Sequence, residues 1–142
     1  MLKKKSDQLT ALRQVSLFSS MSDRELKAVM AGCREELYSD GQAIVKEGQP
    51  GGPFFLITEG SAKLLVNGKV RKTFVPGDYF GEIALIDKQP RSATIVAAGP
   101  VKALAIASWD FLALCQENWA ITHKVMTGMA TVIRALDKTA GL

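Results

Sequence analysis

Three residue types with useful binding chemistry lie close together in the middle of the chain. Residues 80–94 read Phe-Gly-Glu-Ile-Ala-Leu-Ile-Asp-Lys-Gln-Pro-Arg-Ser-Ala-Thr. The planar guanidinium of Arg91 can bind two oxygens of a phosphate at once. The carboxylate of Glu82 can accept a hydrogen bond from a sugar hydroxyl, and Gly81 allows a ligand to approach the backbone closely. Together these residues predict a cradle for a phosphate and a ribose.

The same segment is expected to supply backbone donors as well. It is predicted to begin as a short helical turn, in which the N–H groups of Ile83 and Ala84 have no partner inside the helix. These groups lie at the positive end of the helix dipole, which favours an anion. We expect Pro90 to end the helix and to orient Arg91.

Each of these residues also has a simpler explanation. Glu82 could be a charged residue in the first turn of a short helix, where it is favourable to the dipole. Arg91 could be an exposed arginine in a loop. Their joint presence with Gly81, at this spacing, favours the binding site over these alternatives.

Metal binding and catalysis have little support in the sequence. His123 is the only histidine, so a His-rich metal site cannot form. Asp78 and Asp87 are interpreted as turn residues, without a paired base. Cys33 and Cys115 are far apart and are interpreted as small buried hydrophobic residues. Nucleotide-binding-loop and hydrolase motifs are absent, so we expect neither an enzyme nor a metal site.

The elements that must position the cradle begin with helices. The 142 residues, 47% of them hydrophobic, suffice for a single domain, 1–142. N-terminal helices are predicted over about residues 7–34, the first of them over 7–18. Ser22 and Glu25 have the spacing of a capping box. The buried face of the helix behind it carries Leu26, Val29, Met30 and Cys33.

A strand-rich region, about residues 36–107, follows these helices. Short apolar runs separated by Gly and Pro predict a sandwich or barrel, because no helices alternate with them. Asn67-Gly68 predicts a tight hairpin with a type I′ turn. The predicted strands are Ala43–Val45, Phe54–Ile57, Ala62–Val66, Val70–Phe74, Ala93–Ala97 and Val101–Ile106.

C-terminal helices are predicted over about residues 108–138. Ser108 is the expected N-cap of the first, and a longer helix is expected from about Asn118 to Lys138. An apolar seam along the longer helix could pack on the domain or on a second copy, and packing on the domain is favoured. The seam consists of Met126, Met129, Ile133 and Leu136.

Charge and hydropathy bear on partners and location. The net charge of +4 is mild. The run Lys3–Lys5 is typical of a solvated tail, with nucleic-acid or membrane binding as the less favoured alternative. The most apolar stretch, 93–107, is broken by Gly99, Pro100 and Lys102, so no membrane span is expected. No apolar block follows the N-terminal lysines, and we expect a cytoplasmic protein without nucleic-acid binding.

The segment 80–94 resembles the phosphate-binding cassette of the cyclic nucleotide-binding domain family. The resemblance rests on Phe80–Leu85 and, after five further residues, Arg91–Thr94. Upstream, Glu47–Gly52 resembles the family's glycine-marked strand pair, although Gly52 replaces an acidic residue of many members. The likeness covers about residues 12–138. It implies a mainly β fold with flanking helices: a double-sheet β-roll with N-terminal helices and a C-terminal lid helix.

The resemblance also implies a role for each residue of the cassette. Arg91 would bind the cyclic phosphate and Glu82 the ribose 2′-hydroxyl. The N–H groups of Ala84 and Ser92 would complete the phosphate site, with Gly81 against the sugar. The predicted ligand-binding residues are thus Gly81, Glu82, Ile83, Ala84, Arg91, Ser92 and Ala93, with His123 and Thr127 as lid contacts near the purine.

The implied function is that of a regulatory sensor. Ser92 favours cyclic AMP over cyclic GMP, because a threonine there often accompanies cyclic GMP preference in the family. Binding would reposition the C-terminal helix, which would signal to a protein partner or to a second copy in a homodimer. No room is left for a helix-turn-helix before Leu142, so the output is a separate protein or the chain is a fragment. The alternatives are an interaction module that has lost ligand binding and a receptor for another nucleotide or a cyclic dinucleotide.

Overall fold

Six antiparallel strands form the centre of the computed structural model, which describes residues 1–141. The strands are β1 (Arg34–Tyr38), β2 (Ala43–Val45), β3 (Phe54–Val66), β4 (Lys69–Phe74), β5 (Tyr79–Phe80) and β6 (Thr94–Ile106). The helices are α1 (Lys5–Arg13), a 3-10 turn (Ser16–Phe18), α2 (Asp23–Ala31), α3 (Ala84–Asp87), α4 (Ser108–Glu117) and α5 (Trp119–Thr139). The predicted order of helices, β-roll and helices is confirmed.

The two longest strands, β3 and β6, pair with each other along the middle of the sheet. The strand order is β1-β6-β3-β4, while β2 pairs with β6 and β5 with β3. The sequence predicted two short strands in each of β3 and β6, which is wrong, because both strands continue through an irregularity. Gly60 has φ +81, and a Cβ there would lie 2.1 Å from the carbonyl oxygen of Pro100. Glycine therefore allows the two strands to remain paired where they bend.

Two strands were missed from the sequence. β1 lies partly in the segment assigned to the N-terminal helices, and its Arg34-Glu35-Glu36 start lacks an apolar alternation. It pairs with β6 over its whole length. β5 has only two residues, too few to produce a periodic signal.

The predicted hairpin joins β3 to β4. Asn67 and Gly68 have φ +52 and φ +75, which matches the type I′ turn that the sequence predicted. A bulge then shifts the register by one residue, so that Leu64 lies opposite Lys72 and not Arg71. This shift decides which charged side chain shares a face with Leu64.

The chain has two hydrophobic cores on opposite sides of β3. In the helical core, the ring of Phe18 lies 5.4 Å from that of Phe54 and 5.7 Å from that of Phe111. In the roll core, the rings of Phe55 and Phe80 stack at 5.1 Å. Successive side chains of a strand point to opposite faces, so neighbouring residues of β3 serve different cores.

The N-terminal helices agree in part with the prediction. The capping box of α2 is confirmed: Ser22 Oγ accepts from the Glu25 N–H at 3.2 Å, and Glu25 Oε1 accepts from the Ser22 N–H at 2.8 Å. The single helix expected over 7–18 is wrong, because α1 ends at Arg13 and a 3-10 turn follows. That turn buries the side chain of Phe18 completely.

Two predicted helix boundaries are also wrong. Ser108 is not the N-cap of α4. Ala107 takes that position, and the buried Ser108 hydroxyl donates to the carbonyl of Leu85 at 2.8 Å. Pro90 does not end α3, because Lys88 already adopts a left-handed conformation with φ +55. The predicted turn roles are confirmed for Asp78, which accepts from Val75 N at 2.8 Å, and Asp87, which accepts from Gln89 N at 3.1 Å.

The last helix starts where predicted. Asn118 caps α5 by accepting from the Ile121 N–H at 3.2 Å. Gly128 faces the 3-10 turn so closely that a Cβ would lie 2.5 Å from the Ser16 carbonyl oxygen. The expected packing of the apolar seam on the domain is wrong for most of it, since only Met129 packs on the helical core. Its other members are exposed: Met126, Ile133 and Leu136 at 41%, 58% and 64%.

An ion pair holds α5 against α2. Glu25 Oε1 accepts from Lys124 Nζ as well as from the Ser22 N–H. The hydrogen bond from Lys124, above all, lowers the pKa of the Glu25 carboxyl below its ordinary value of 4.5. A carboxyl whose pKa is lowered by folding stabilises the native state above its unfolded pKa, and the effect is lost as the pH falls through the folded pKa.

We expect Glu25→Gln to lower the free energy of unfolding by about 0.5–1 kcal/mol at pH 7, where the carboxylate is charged. The difference from the unsubstituted protein should shrink as the pH falls through the lowered pKa of the folded carboxyl, because Glu25 is then protonated and, like glutamine, neutral. Urea unfolding at several pH values measures this difference in the free energy of unfolding. Glu117→Gln, which changes an exposed carboxylate on α4, is the control and should show no such pH-dependent difference.

Candidate functional site

A cavity of about 260 Å³ lies where α3 and the loop after it meet β2, β3 and β6. One side is formed by the segment that the sequence singled out, and the other by apolar side chains of the roll. We call this cavity the cradle. Six predicted residues border it: Gly81, Ile83, Ala84, Arg91, Ser92 and Ala93.

Backbone and side-chain hydrogen bonds hold Arg91 in the cradle. Its N–H donates to the Gln49 carbonyl at 2.9 Å, and its own carbonyl accepts from the Gly48 N–H at 2.8 Å. Its Nη2 donates to the Pro53 carbonyl. The loop before β3 therefore positions the guanidinium, although it lies about forty residues away in sequence.

Arg91 is a half-buried cation. Burial lowers the pKa of its guanidinium, but arginine stays protonated in proteins. Within residues 1–141, it forms no ion pair with a carboxylate. A buried charge is costly without a compensating partner, so the arrangement is suited to an external anion.

Gly81 provides the room that Arg91 needs. Its φ is +88, which disfavours any residue with a side chain. A Cβ at this position would lie 2.6 Å from the Pro53 carbonyl oxygen and 2.7 Å from Arg91 Nη1. Both the turn and the position of the guanidinium therefore require glycine.

Helix α3 borders the cradle on one side and is anchored in the helical core on the other. The hydrogen bonds of this turn begin with the N–H groups of Ile86 and Asp87, which donate to the Ile83 carbonyl. The earlier N–H groups, of Ile83 and Ala84, thus precede the first intrahelical donor. Leu85 is fully buried in the helical core. The turn therefore joins the cradle to the helices.

Three predicted site residues do not border the cradle. Glu82 is half-buried beside Gly81 but is not part of the cavity wall. His123 and Thr127 are exposed on α5, where the Thr127 hydroxyl donates to the His123 carbonyl at 3.0 Å. In this arrangement α5 packs on the 3-10 turn and α4, away from the cradle.

The apolar wall was missed by the sequence analysis, and the strand register explains why. Val45 lies opposite Ile95, and Ile95 lies opposite Leu64; all three border the cradle. The next residue in this row across the sheet is Lys72, whose Nζ lies 4.8 Å from the centre of the Phe74 ring. The alternation within each strand indicated inward-facing residues, but it could not show which strands are neighbours.

Between residues 1 and 141, no three His, Cys, Asp or Glu side chains come together in a group that could hold a metal ion. None of the helices in that range has the length and apolar character needed to cross a membrane.

Comparisons with known proteins agree on one family. The model of the cyclic nucleotide-binding domain matches residues 35–118. A cAMP-dependent protein kinase regulatory subunit from Debaryomyces hansenii is 40% identical over 91 residues, which are 63% of this chain and only 20% of that subunit. The curated relative is therefore about five times longer than the segment that matches.

Solved structures show the same fold. The N-terminal domain of a transcriptional regulator from Streptomyces coelicolor A3(2) superposes with a TM-score of 0.82 at 26% identity, covering 92% of this chain and 94% of that domain. The regulatory domain of Toxoplasma gondii PKA, crystallised with cAMP, gives a TM-score of 0.65 at 30% identity, covering 96% of this chain and 49% of that one.

We expect Gly81→Ala to lower the free energy of unfolding by about 1–3 kcal/mol more than Gly99→Ala. Both glycines have nearly the same positive φ, +88 and +84, but a Cβ at Gly99 meets nothing within 4 Å. The difference between the two variants therefore measures the crowding of Arg91 and Pro53. Equal losses in urea unfolding would show that Gly81 serves only the backbone conformation.

Proposed function

The chain belongs to the cyclic nucleotide-binding domain family, and we propose that it is a sensor that binds cyclic AMP in the cradle around Arg91. The observation that carries this proposal is the half-buried guanidinium of Arg91, which has no carboxylate partner among the described residues. An apolar wall lies across the same cavity. A cyclic nucleotide has the matching parts, namely an anionic phosphate and a flat base.

The phosphate is assigned to Arg91 and to the backbone N–H groups of Ala84 and Ser92. A guanidinium and neighbouring N–H groups together form charge-assisted hydrogen bonds to phosphate oxygens. The ribose lies against Gly81, and its 2′-hydroxyl donates to Glu82. This last contact requires the Glu82 side chain to turn toward the cavity, since it does not border it in the described structure.

The comparisons support cyclic AMP as the ligand. The Toxoplasma gondii regulatory domain was crystallised with cAMP and resembles nearly the whole of this chain. An interaction module without a ligand is less well supported, because such a module has no need of a buried cation. A cyclic dinucleotide is larger than the small cradle, so this alternative is also less well supported.

Cyclic GMP is the second candidate, and Lys72 is the observation that favours it. Lys72 is exposed and lies opposite Leu64 of the apolar wall, although it does not itself border the cradle. A lysine ammonium can donate to guanine O6 and N7, whereas adenine offers only N7 on that edge. The hydroxyl of Ser92 can also serve guanine. The contacts of Lys72 and Ser92 with guanine would favour cyclic GMP, and the remaining contacts of the cradle decide whether cyclic AMP is still preferred.

Signalling is proposed to follow from movement of α5. The Ser108–Leu85 hydrogen bond and the contacts between α3 and α4 connect the cradle to the C-terminal helices. A ligand that binds better when α5 lies over the cradle shifts the population toward that state, in proportion to its differential affinity. His123 and Thr127 would then approach the purine. A protein partner or a second copy of the chain would bind the exposed seam of α5 in its new position. The role of the domain would be regulatory and not catalytic.

We expect Arg91→Ala to weaken cyclic AMP binding by about 2–5 kcal/mol, or roughly thirtyfold to several thousandfold, because the phosphate loses its cation. Isothermal titration with cyclic AMP, then with cyclic GMP, measures the effect. Arg71→Ala, which removes an exposed arginine from β4, should bind within about twofold of the unsubstituted protein. Unchanged binding by Arg91→Ala would refute the assignment of the phosphate site.

Lys72→Met is expected to reduce the affinity for cyclic GMP relative to cyclic AMP by about threefold to tenfold, since only guanine offers the ammonium a second acceptor. Methionine keeps most of the apolar stem that lies over Phe74. Lys69→Met, on the same strand next to the turn, is the matched control. The ratio of the two dissociation constants is the measurement, and an unchanged ratio would exclude Lys72 from base recognition.

A further inference from the structure

A second cavity, of about 630 Å³, lies between α1, the end of α2 and the sheet, and it shares no residue with the cradle. We propose that it is a docking groove for an acidic, amphipathic helix of a partner protein. We call it the basic groove and define it by Lys3, Lys5, Leu9, Lys27, Met30 and Leu104. The proposal does not depend on the identity of the ligand in the cradle.

The floor of the basic groove is apolar. Leu9, Met30 and Leu104 pack against the helical core, yet each remains partly exposed. Cys33 completes the floor, and burial raises the pKa of its thiol to about 12. The thiol is therefore uncharged at neutral pH and behaves as a small hydrophobic group. An occupant gains affinity by covering this surface.

The rim of the basic groove is cationic. Lys3, Lys5 and Lys27 form no ion pair with a carboxylate anywhere in residues 1–141. The one acidic side chain in the wall belongs to Glu35, which lies 4.0 Å from Lys102. The rim thus has a net positive charge that no ion pair of the described residues balances. The occupant must combine negative charge with an apolar surface.

The rim is also held in place before anything binds. The Leu2 N–H donates to the Thr58 carbonyl at 2.8 Å, and Gln8 Nε2 donates to the Leu2 carbonyl at 2.9 Å. The lysine side chains are exposed, so the predicted solvation is confirmed, but the segment is not a free tail, because these bonds fix it on the sheet and Lys5 opens α1. A pre-ordered site loses less entropy on binding than a mobile tail does.

The arrangement favours a helix over a membrane surface. The apolar floor is recessed between the lysines and is bordered by α1 and α2. Protruding leucine or methionine side chains on one helix face can reach such a floor, while flanking carboxylates meet the rim. A bilayer surface presents charge in a plane and cannot fill a recess of this kind without deforming.

The test uses a fluorescein-labelled peptide of about 14 residues, with Leu at i, i+3, i+4 and i+7, Glu only at the positions that flank this stripe, and Ala and Gln elsewhere to favour the helix. We expect saturable binding by fluorescence anisotropy. In protein labelled with ¹³C at the methionine methyl groups, the Met30 signal should shift while the Met126 signal on α5 stays in place. Binding should weaken with added salt, because the rim contacts are ionic.

Charge reversal of the rim provides the decisive comparison. The triple variant Lys3→Glu, Lys5→Glu and Lys27→Glu should weaken peptide binding by at least about tenfold. The matched control reverses the same number of charges on the β3–β4 hairpin and should change binding by less than about threefold. That control consists of Lys63→Glu, Lys69→Glu and Arg71→Glu, all exposed. If the triple variant of the rim fails to fold, Lys27→Glu alone should also weaken peptide binding.

Several outcomes would overturn the proposal. These are the absence of saturable binding, equal losses in the two triple variants, or a shift of Met126 without a shift of Met30. Binding to phosphatidylglycerol vesicles through the same lysines, without binding to the peptide, would assign the rim to a membrane instead. Titration of each variant with cyclic AMP separates this test from the proposed function, since loss at the basic groove should leave the cradle intact.

Discussion

A half-buried guanidinium without a carboxylate partner in the described part of the chain is the constraint on which the site depends. Partial removal of a charge from water is unfavourable unless other groups replace the lost hydration. Among residues 1–141, the Arg91 side chain donates only to the Pro53 carbonyl, and its other guanidinium N–H groups have no protein partner. Gly81 provides the space in which this side chain lies. The loop before β3, the turn at Gly81 and the start of β6 therefore form one unit around a single cation.

The two cores are separated by β3, and α3 connects the cradle to the helical core. Phe54 and Phe55 are adjacent in β3, but they pack in the helical core and the roll core respectively. Leu85 belongs to the helical core although its helix borders the cradle. α3 thus contacts both the cradle and the helical core, whereas the roll core lies on the other face of β3.

The first half of α5 makes the contacts that hold this helix on the domain. Gly128 fits closely against the 3-10 turn, Lys124 binds Glu25, and Ile121 and Val125 are buried. Beyond Met129, the large apolar side chains of Ile133 and Leu136 are exposed. Segments with few buried apolar contacts have a low local free energy of opening. The part of α5 beyond Met129 therefore contributes little to the stability of the domain.

Local rules in the sequence determined the features that depend on neighbouring residues. The capping box of Ser22 and Glu25 and the turn at Asn67-Gly68 could be predicted because each depends on bonds or backbone angles within a few residues. The cassette could be located because its glycine, glutamate and arginine lie within eleven consecutive residues, 81–91. The overall order of elements followed from periodicity and from the resemblance to a known family.

Only the tertiary structure decided which distant residues meet. The bulge that places Lys72 and not Arg71 beside Leu64 arises where β3 pairs with β4 and β6 together. Likewise, the bond from Leu2 to Thr58 fixes a lysine run that looked like a free tail. These outcomes depend on contacts between segments far apart in the chain, and the periodicity of a single segment contains no information about its partner.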